Sequence, residues 1–264
     1  MMLIDTHTHL FLEEFDADRR QVVARAQEAG VARLFMPNID VSTLESLWRM
    51  CREYEGYCYP MVGLHPSEVK AGEYKDALAV MRRELEARRG YVAVGEIGID
   101  LYWDRTYRDE QLAAFRQQVE WALEFGLPIV IHCRDAFAEV MQVLRDYASH
   151  PGLRGVFHCF TGTEAEAAAV LELPGFCFGI NGVVTFKKSA LAAVLRQAIP
   201  LERVVLETDS PYLAPVPCRG KRNESANIVY TARAVAEAYG KTVEEVAAGT
   251  TRNALRLFGQ PEEP

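Results

Sequence analysis

At 264 residues, 49% hydrophobic and 25% charged, the chain has the balance of a soluble globular protein with a sizeable core, which excludes a disordered or fibrous one. A formal net charge of −8 excludes a broad basic face that grips nucleic acid by counterion release, so any phosphate ligand must be drawn by local charge, for instance bound metal and a few arginines. The longest apolar runs, such as "LPIVIHC", are too short to cross a bilayer, and no cationic, apolar and cleavage-site succession stands at the start, so neither membrane nor secretion is expected.

In chain order, short apolar and β-branched runs predict strands at 2–9, 32–39, 58–66, 91–100, 127–134, 154–160, 176–184 and 203–211. Segments with helical periodicity follow at 16–30, 74–90, 108–126, 136–149 and 163–172, several closing on a glycine just past the last turn. After the eighth strand, "YLAPVPCRGKRNES" is Pro-rich and polar and predicts a long loop over one mouth of the fold. Two last helices, at 226–240 and 242–259, close the domain. Eight strands alternating with helices imply a parallel sheet, and eight at this length imply a closed one: an α/β fold, a single-domain (β/α)8 TIM barrel over 1–260 with a short tail at 261–264. Six cysteines (Cys51, Cys58, Cys133, Cys159, Cys177, Cys218) lie scattered without CxxC spacing, several in strand-like runs, which points to a reducing, cytoplasmic compartment.

Polar residues interrupt these strands near their carboxyl ends. The opening "LIDTHTHL" places Asp5, His7 and His9 on one face of a strand, with Thr6 and Thr8 on the other. His65 follows strand three, Glu96 lies on strand four, His132 on strand five, His158 on strand six and Asp209 on strand eight. In a parallel barrel these ends share one face, where active sites of this architecture sit. A single buried histidine is commonly a hydrogen-bonded core residue, but burying four with two carboxylates is costly unless a cation compensates them. Neutral imidazoles with carboxylates make a nest for one or two divalent ions, and Glu96, in the middle of the set, is the natural bridge. His150, beside a proline at a helix end, is expected to be ordinary.

The motifs "DTHTHL", "VGLHP", "VGEIGID", "IHCRDA", "HCFTG", "ETDSPYLAP", "RGKRNE" and "TTRNALRLF" run through almost the whole chain. In that order they resemble those of the TatD-family metal-dependent deoxyribonucleases, within the amidohydrolase-like barrel superfamily. The resemblance implies a dinuclear centre and hydrolysis of DNA phosphodiesters, often as an exonuclease, by a metal-activated water. It implies that His7 and His9 hold one metal and His132 and His158 the other, with Glu96 shared, and that Asp209 ligates a metal and handles the water's proton. Cys218 stands where relatives often have His, and Ser225 where "NEP" is usual; both are expected in the loop over the mouth, where they bear on substrate preference.

Catalysis is thus assigned to Asp209, as general base, and Glu96. Arg134 either forks onto a phosphate or pairs with Asp135 or Glu207, and His65 either donates to the scissile phosphate or orders its loop. Asp5 and Glu207, one pleat deeper, are expected to orient imidazoles or to belong to the core. Tyr102 and Trp103 either stack on a base or pack their loop, and Arg219, Lys221 and Arg222 form a local positive patch or a solvated face. The ligand set favours Zn, Mn, Fe or Ni over Mg, although availability also counts. The partner expected is DNA or another phosphoester, with no membrane and no obligate protein partner. The rival reading is a barrel hydrolase acting on an ester, amide, lactone or aminoacyl-tRNA ester.

Overall fold

The computed structural model describes residues 1–87, 90–102 and 104–259; the expected tail at 261–264 and Trp103 lie outside them. The elements run β1 (Leu3–Asp5), α1 (Arg19–Glu28), β2 (Val31–Pro37), α2 (Leu44–Glu53), β3 (Cys58–Met61), α3 (Tyr74–Ala87), β4 (Val94–Asp100) and α4 (Arg108–Phe125). They continue with β5 (Ile129–Arg134), α5 (Phe137–Asp146), β6 (Gly155–Phe157), α6 (Glu164–Leu171), β7 (Phe176–Ile180), α7 (Leu191–Ala198), β8 (Val204–Leu206), α8 (Ile228–Tyr239) and α9 (Val243–Phe258). Within β1–β2–β3 and within β4 to β8, neighbours pair in parallel.

Two seams close these arcs into one barrel. Between β3 and β4, Val62 N–H donates to the Ala93 carbonyl at 3.3 Å and Gly95 N–H to that of Val62 at 2.9 Å. Between β8 and β1, Thr6 N–H donates to Leu206 at 3.0 Å, Asp209 N–H to His7 at 2.9 Å and His9 N–H to Ser210 at 2.8 Å. The second seam ties the first residues of the chain to residues two hundred positions later, and it runs through the candidate site.

All eight predicted strands are present, but the ladders stop early: β1 ends at Asp5, β6 at Phe157 and β8 at Leu206. The chain leaves the sheet just before the polar residues of interest, so the strict alternation expected over 5–9 does not extend to His7 and His9. Helices α2 and α7 lie outside the predicted segments. In α2 the buried stripe of Leu44, Leu47, Met50 and Cys51 is interleaved with Ser, Trp and Arg, and α7 spans only eight residues. Capping chemistry fixes several ends: Thr163 with Glu166 boxes α6, Thr242 with Glu245 boxes α9, and α4 and α8 stop on left-handed Gly126 and Gly240.

Apolar side chains pack in two shells. Leu3, Leu34, Ile97, Ile99, Ile131, Phe178 and Leu206 meet the helices, whereas Ile4, Phe35, Tyr59, Val130, Val156, Cys177 and Val205 fill the barrel. Ala254, Leu257 and Phe258 from α9 plug its amino-terminal end, Phe258 lying 4.6 Å from Phe35 between ring centroids. The interior is therefore plugged below the site, which opens at the carboxyl ends of the strands. Gly98 sets the spacing of β4 and β5: it adopts φ +147°, and a Cβ there would collide with the His132 carbonyl oxygen. Gly98→Ala is expected to cost about 3 kcal/mol or more of stability, read as a fall in melting temperature; an unshifted melt would refute the close approach.

Candidate metal centre

Six of the eight strands contribute one or two functional side chains each. His7 and His9 follow β1, His65 opens the turn after β3, Glu96 lies within β4, His132 near the end of β5, His158 just past β6 and Asp209 just past β8. All of these except His7, which lies fully buried behind His9 and Glu96, line a cavity of about 580 Å³ at the carboxyl end of the barrel, together with Arg134 and Tyr212. Five of the chain's six histidines gather there, and His150 stays outside, accepting from Gly152 N–H.

Glu96 is the hub. Its Oε2 lies 3.1 Å from His7 Nε2 and 3.9 Å from His9 Nε2, and its Oε1 lies 2.9 Å from His132 Nδ1, 3.5 Å from His65 Nε2 and 3.8 Å from His158 Nε2. Asp209 Oδ1 stands 3.6 Å from His9 Nε2 and 3.8 Å from both His7 Nε2 and His158 Nε2. Three sets offer ligand atoms within 4.8 Å of one another: His7 with His9 and Glu96, His65 with Glu96 and His132, and His7 with His158 and Asp209.

The electrostatics follow from burial and crowding. Burial opposes ionisation of Glu96, yet the surrounding imidazoles outweigh it and hold its carboxyl well below the ordinary range. Asp209 is lowered in the same way, burial being overcome by His158, His9 and His7. Burial pulls His7 and His65 down and keeps them neutral. For His132 burial is overcome by the hydrogen bonds with Asp100 and Glu96, which push it up to about 9, and for His158 by Glu207, Glu96 and Asp209, which push it up to about 10.

This donor set fits divalent ions. His7 Nε2 and His9 Nε2 face each other at 3.2 Å, and His158 stacks on His7 with ring centroids 3.5 Å apart, an arrangement that brings lone pairs together. Without an ion, protons on His132 and His158 supply the positive charge the acids require. Those protons must leave before the imidazoles can ligate. The sign is therefore fixed: raised histidine pKa values weaken metal uptake below them, so apparent affinity should rise with pH towards about 10 and level off above it. Calorimetry in buffers of different ionisation enthalpy should detect the released protons, and pH-independent loading would refute this.

A family model for TatD related DNases matches residues 4–259. The chain belongs to that family. It is 39% identical over 257 residues to the metal-dependent hydrolase YabD of Bacillus subtilis, covering 97% of this chain and 99% of that one. It is 33% identical to the 3′-5′ ssDNA/RNA exonuclease TatD of Pantoea ananatis, with 97% and 99% covered. The crystal structure of YjjV, a TatD homologue from Escherichia coli, superposes with a TM-score of 0.89 at 27% identity, covering 97% of each chain.

Behind the centre of this TatD-family chain stand residues that orient it. Asp100 Oδ2 lies 2.8 Å from His132 Nε2 and so aims Nδ1 at Glu96. The sequence reading passes over Asp100; the available signal is an acid four residues after Glu96 at the end of the same strand. Glu207, expected to be an orienting group, lies 2.9 Å from His158 Nδ1 and accepts from Cys159 N–H at 2.7 Å. A Cβ at position 179 would collide with the Glu207 carboxylate, so β7 carries a glycine there. Asp5 orients backbone rather than an imidazole: it accepts from His7 N–H at 3.3 Å and from Thr208 N–H at 2.9 Å, and burial raises its carboxyl to about 7.

At the rim, Arg134 lies 3.8 Å from the centroid of the Tyr102 ring and lines the cavity. His65 sits deeper than a rim donor, its Nε2 3.3 Å from His132 Nδ1. Ser225 is buried rather than over the mouth, its hydroxyl donating to Thr8 Oγ1 at 3.3 Å, while Cys218 Sγ meets Asn227 Oδ1 at 3.5 Å. Of the three basic residues in that loop, Arg222 is tied to Asp18 at 2.7 Å and Arg219 lies over Phe186. Among the described residues, no helix is long and apolar enough to cross a membrane.

Proposed function

We propose that this protein is a divalent-metal-dependent exonuclease that hydrolyses phosphodiester bonds of single-stranded DNA from the 3′ end, in the cytoplasm. The observation that carries this reading is the convergence of four imidazoles and two carboxylates, from five strand ends, in one open cavity. Two ions, drawn from Zn, Mn, Mg, Ni or Fe, are assigned: His7 and His9 would hold one and His132 and His158 the other, with Glu96 available to both and Asp209 completing the set. Six free thiols support the reducing compartment.

When bound, divalent ions lower the pKa of water and neutralise charge that builds on the nonbridging phosphate oxygens. The chain's own groups do the rest. Asp209, held ionised, takes the proton of the attacking water. Arg134 forks onto the phosphate, and its contact with Tyr102 steadies the guanidinium beside the cavity. His65, held neutral by burial, donates one hydrogen bond to the scissile phosphate. Tyr102, exposed at the rim, offers a face for a base.

The test is a substrate panel on protein stripped by chelation and reloaded with Mg²⁺, Mn²⁺ or Zn²⁺. Single-stranded DNA labelled at its 5′ end should shorten stepwise from the other end, and chelator should stop it. Turnover of ester, lactone or aminoacyl-ester substrates without DNA shortening would overturn the proposal in favour of carbonyl chemistry at the same centre.

A further inference from the structure

The amino-terminal end of the barrel, opposite the metal centre, carries a second constellation. Arg154 stands just before β6, Arg203 just before β8 and Arg256 in the last turn of α9, and all three line a cavity of about 370 Å³. Arg154 and Arg256 also line an adjoining cavity of about 680 Å³ walled by Trp48, Tyr59, Tyr91 and Phe258.

Elsewhere on the chain arginines meet carboxylates, as Arg25 does with Glu224, Arg82 with Glu124 and Arg116 with Asp146. These three do not. Each donates to a main-chain carbonyl at 2.6 Å, Arg154 to Gly126, Arg203 to Leu173 and Arg256 to Glu202, and none forms an ion pair among the described residues. Such bonds fix the guanidinium groups without neutralising them. Burial first, and then Arg256, pull the Arg203 guanidinium below its ordinary range, as expected for like charges sharing a cavity. Arg33, 5.6 Å from the centroid of Tyr59, adds a buried Nη1 that meets no acceptor. On a chain of net charge −8, cations gathered at one end without an ion pair among the described residues call for an anion, even though Glu202 lines the smaller cavity and Glu55 the larger. Preorganised guanidinium forks suit the oxygens of a phosphate monoester, and an aromatic cavity alongside suits a planar base.

We propose that this end of the barrel is a second binding site, for a nucleoside monophosphate, with the phosphate on Arg154, Arg203 and Arg256 and the base in the aromatic cavity. It shares no residue with the metal centre, so it stands or falls apart from the nuclease reading.

Isothermal titration of the metal-loaded protein with adenosine 5′-monophosphate tests it. One binding event should weaken by about tenfold or more in Arg256→Glu, an exposed position, while hydrolysis at the metal centre changes by less than about twofold. Inorganic phosphate should bind there at least about tenfold more weakly than the nucleotide. Nucleotide binding that Arg256→Glu leaves intact would overturn the site, and equal affinity for phosphate would overturn the nucleotide assignment.

Discussion

Replacing Glu96 by glutamine is expected to lower turnover by roughly a thousandfold or more and to remove bound metal as well. Its two oxygens face opposite halves of the cluster, Oε2 towards His7 at 3.1 Å and Oε1 towards His132 at 2.9 Å. Asp209 also lies between His7, His9 and His158, but through the single oxygen Oδ1. Glutamine keeps the volume but removes the charge that offsets two cations, and its amide nitrogen offers a donor where a ligand is needed. Metal content, measured on purified protein, should fall together with turnover while the circular dichroism of the metal-free protein is unchanged. Wild-type metal content in a folded Glu96→Gln protein would remove Glu96 from the centre.

Asp209 separates proton handling from ion binding. Asp209→Asn is expected to cost on the order of a thousandfold to ten-thousandfold in rate, the range of a general base, with part of the ion affinity retained through the remaining ligands. The choice of asparagine matters, because Asp209 adopts φ 57°, in the left-handed region that asparagine tolerates and alanine does not. Asp209→Ala should therefore lose the activity and, in addition, about 1–2 kcal/mol of stability. Rate and melting temperature of the two variants, measured side by side, distinguish chemistry from backbone strain. Substantial turnover in folded Asp209→Asn would sink the general-base role.

The parts of this molecule legible in its sequence are those where burial and polarity conflict. "LIDTHTHL" and "ETDSP" place titratable groups inside apolar runs, and such runs are rare unless the groups meet. The eight strands were visible because each is an apolar run bounded by turn residues. Less legible was α7, since eight residues hold barely two turns of pattern. Asp100 escaped because a carboxylate at a strand end is ordinary until the imidazole it touches is known, and that contact spans 32 positions. Ser225 illustrates the reverse error: its neighbours are polar and Pro-rich, so a surface loop is the natural inference, yet the loop folds back and buries it against Thr8. Proximity across the barrel, rather than local composition, decides both cases.

The seam between β8 and β1 joins segments that lie two hundred positions apart in the chain. His7 and His9 are synthesised about two hundred residues before Asp209, whose N–H bonds to the His7 carbonyl. A growing chain that has not yet reached β8 holds histidines without their acid partner and has an open sheet edge where the seam will form. The centre is therefore complete only while that seam is closed, and any opening of it parts His7 and His9 from Asp209.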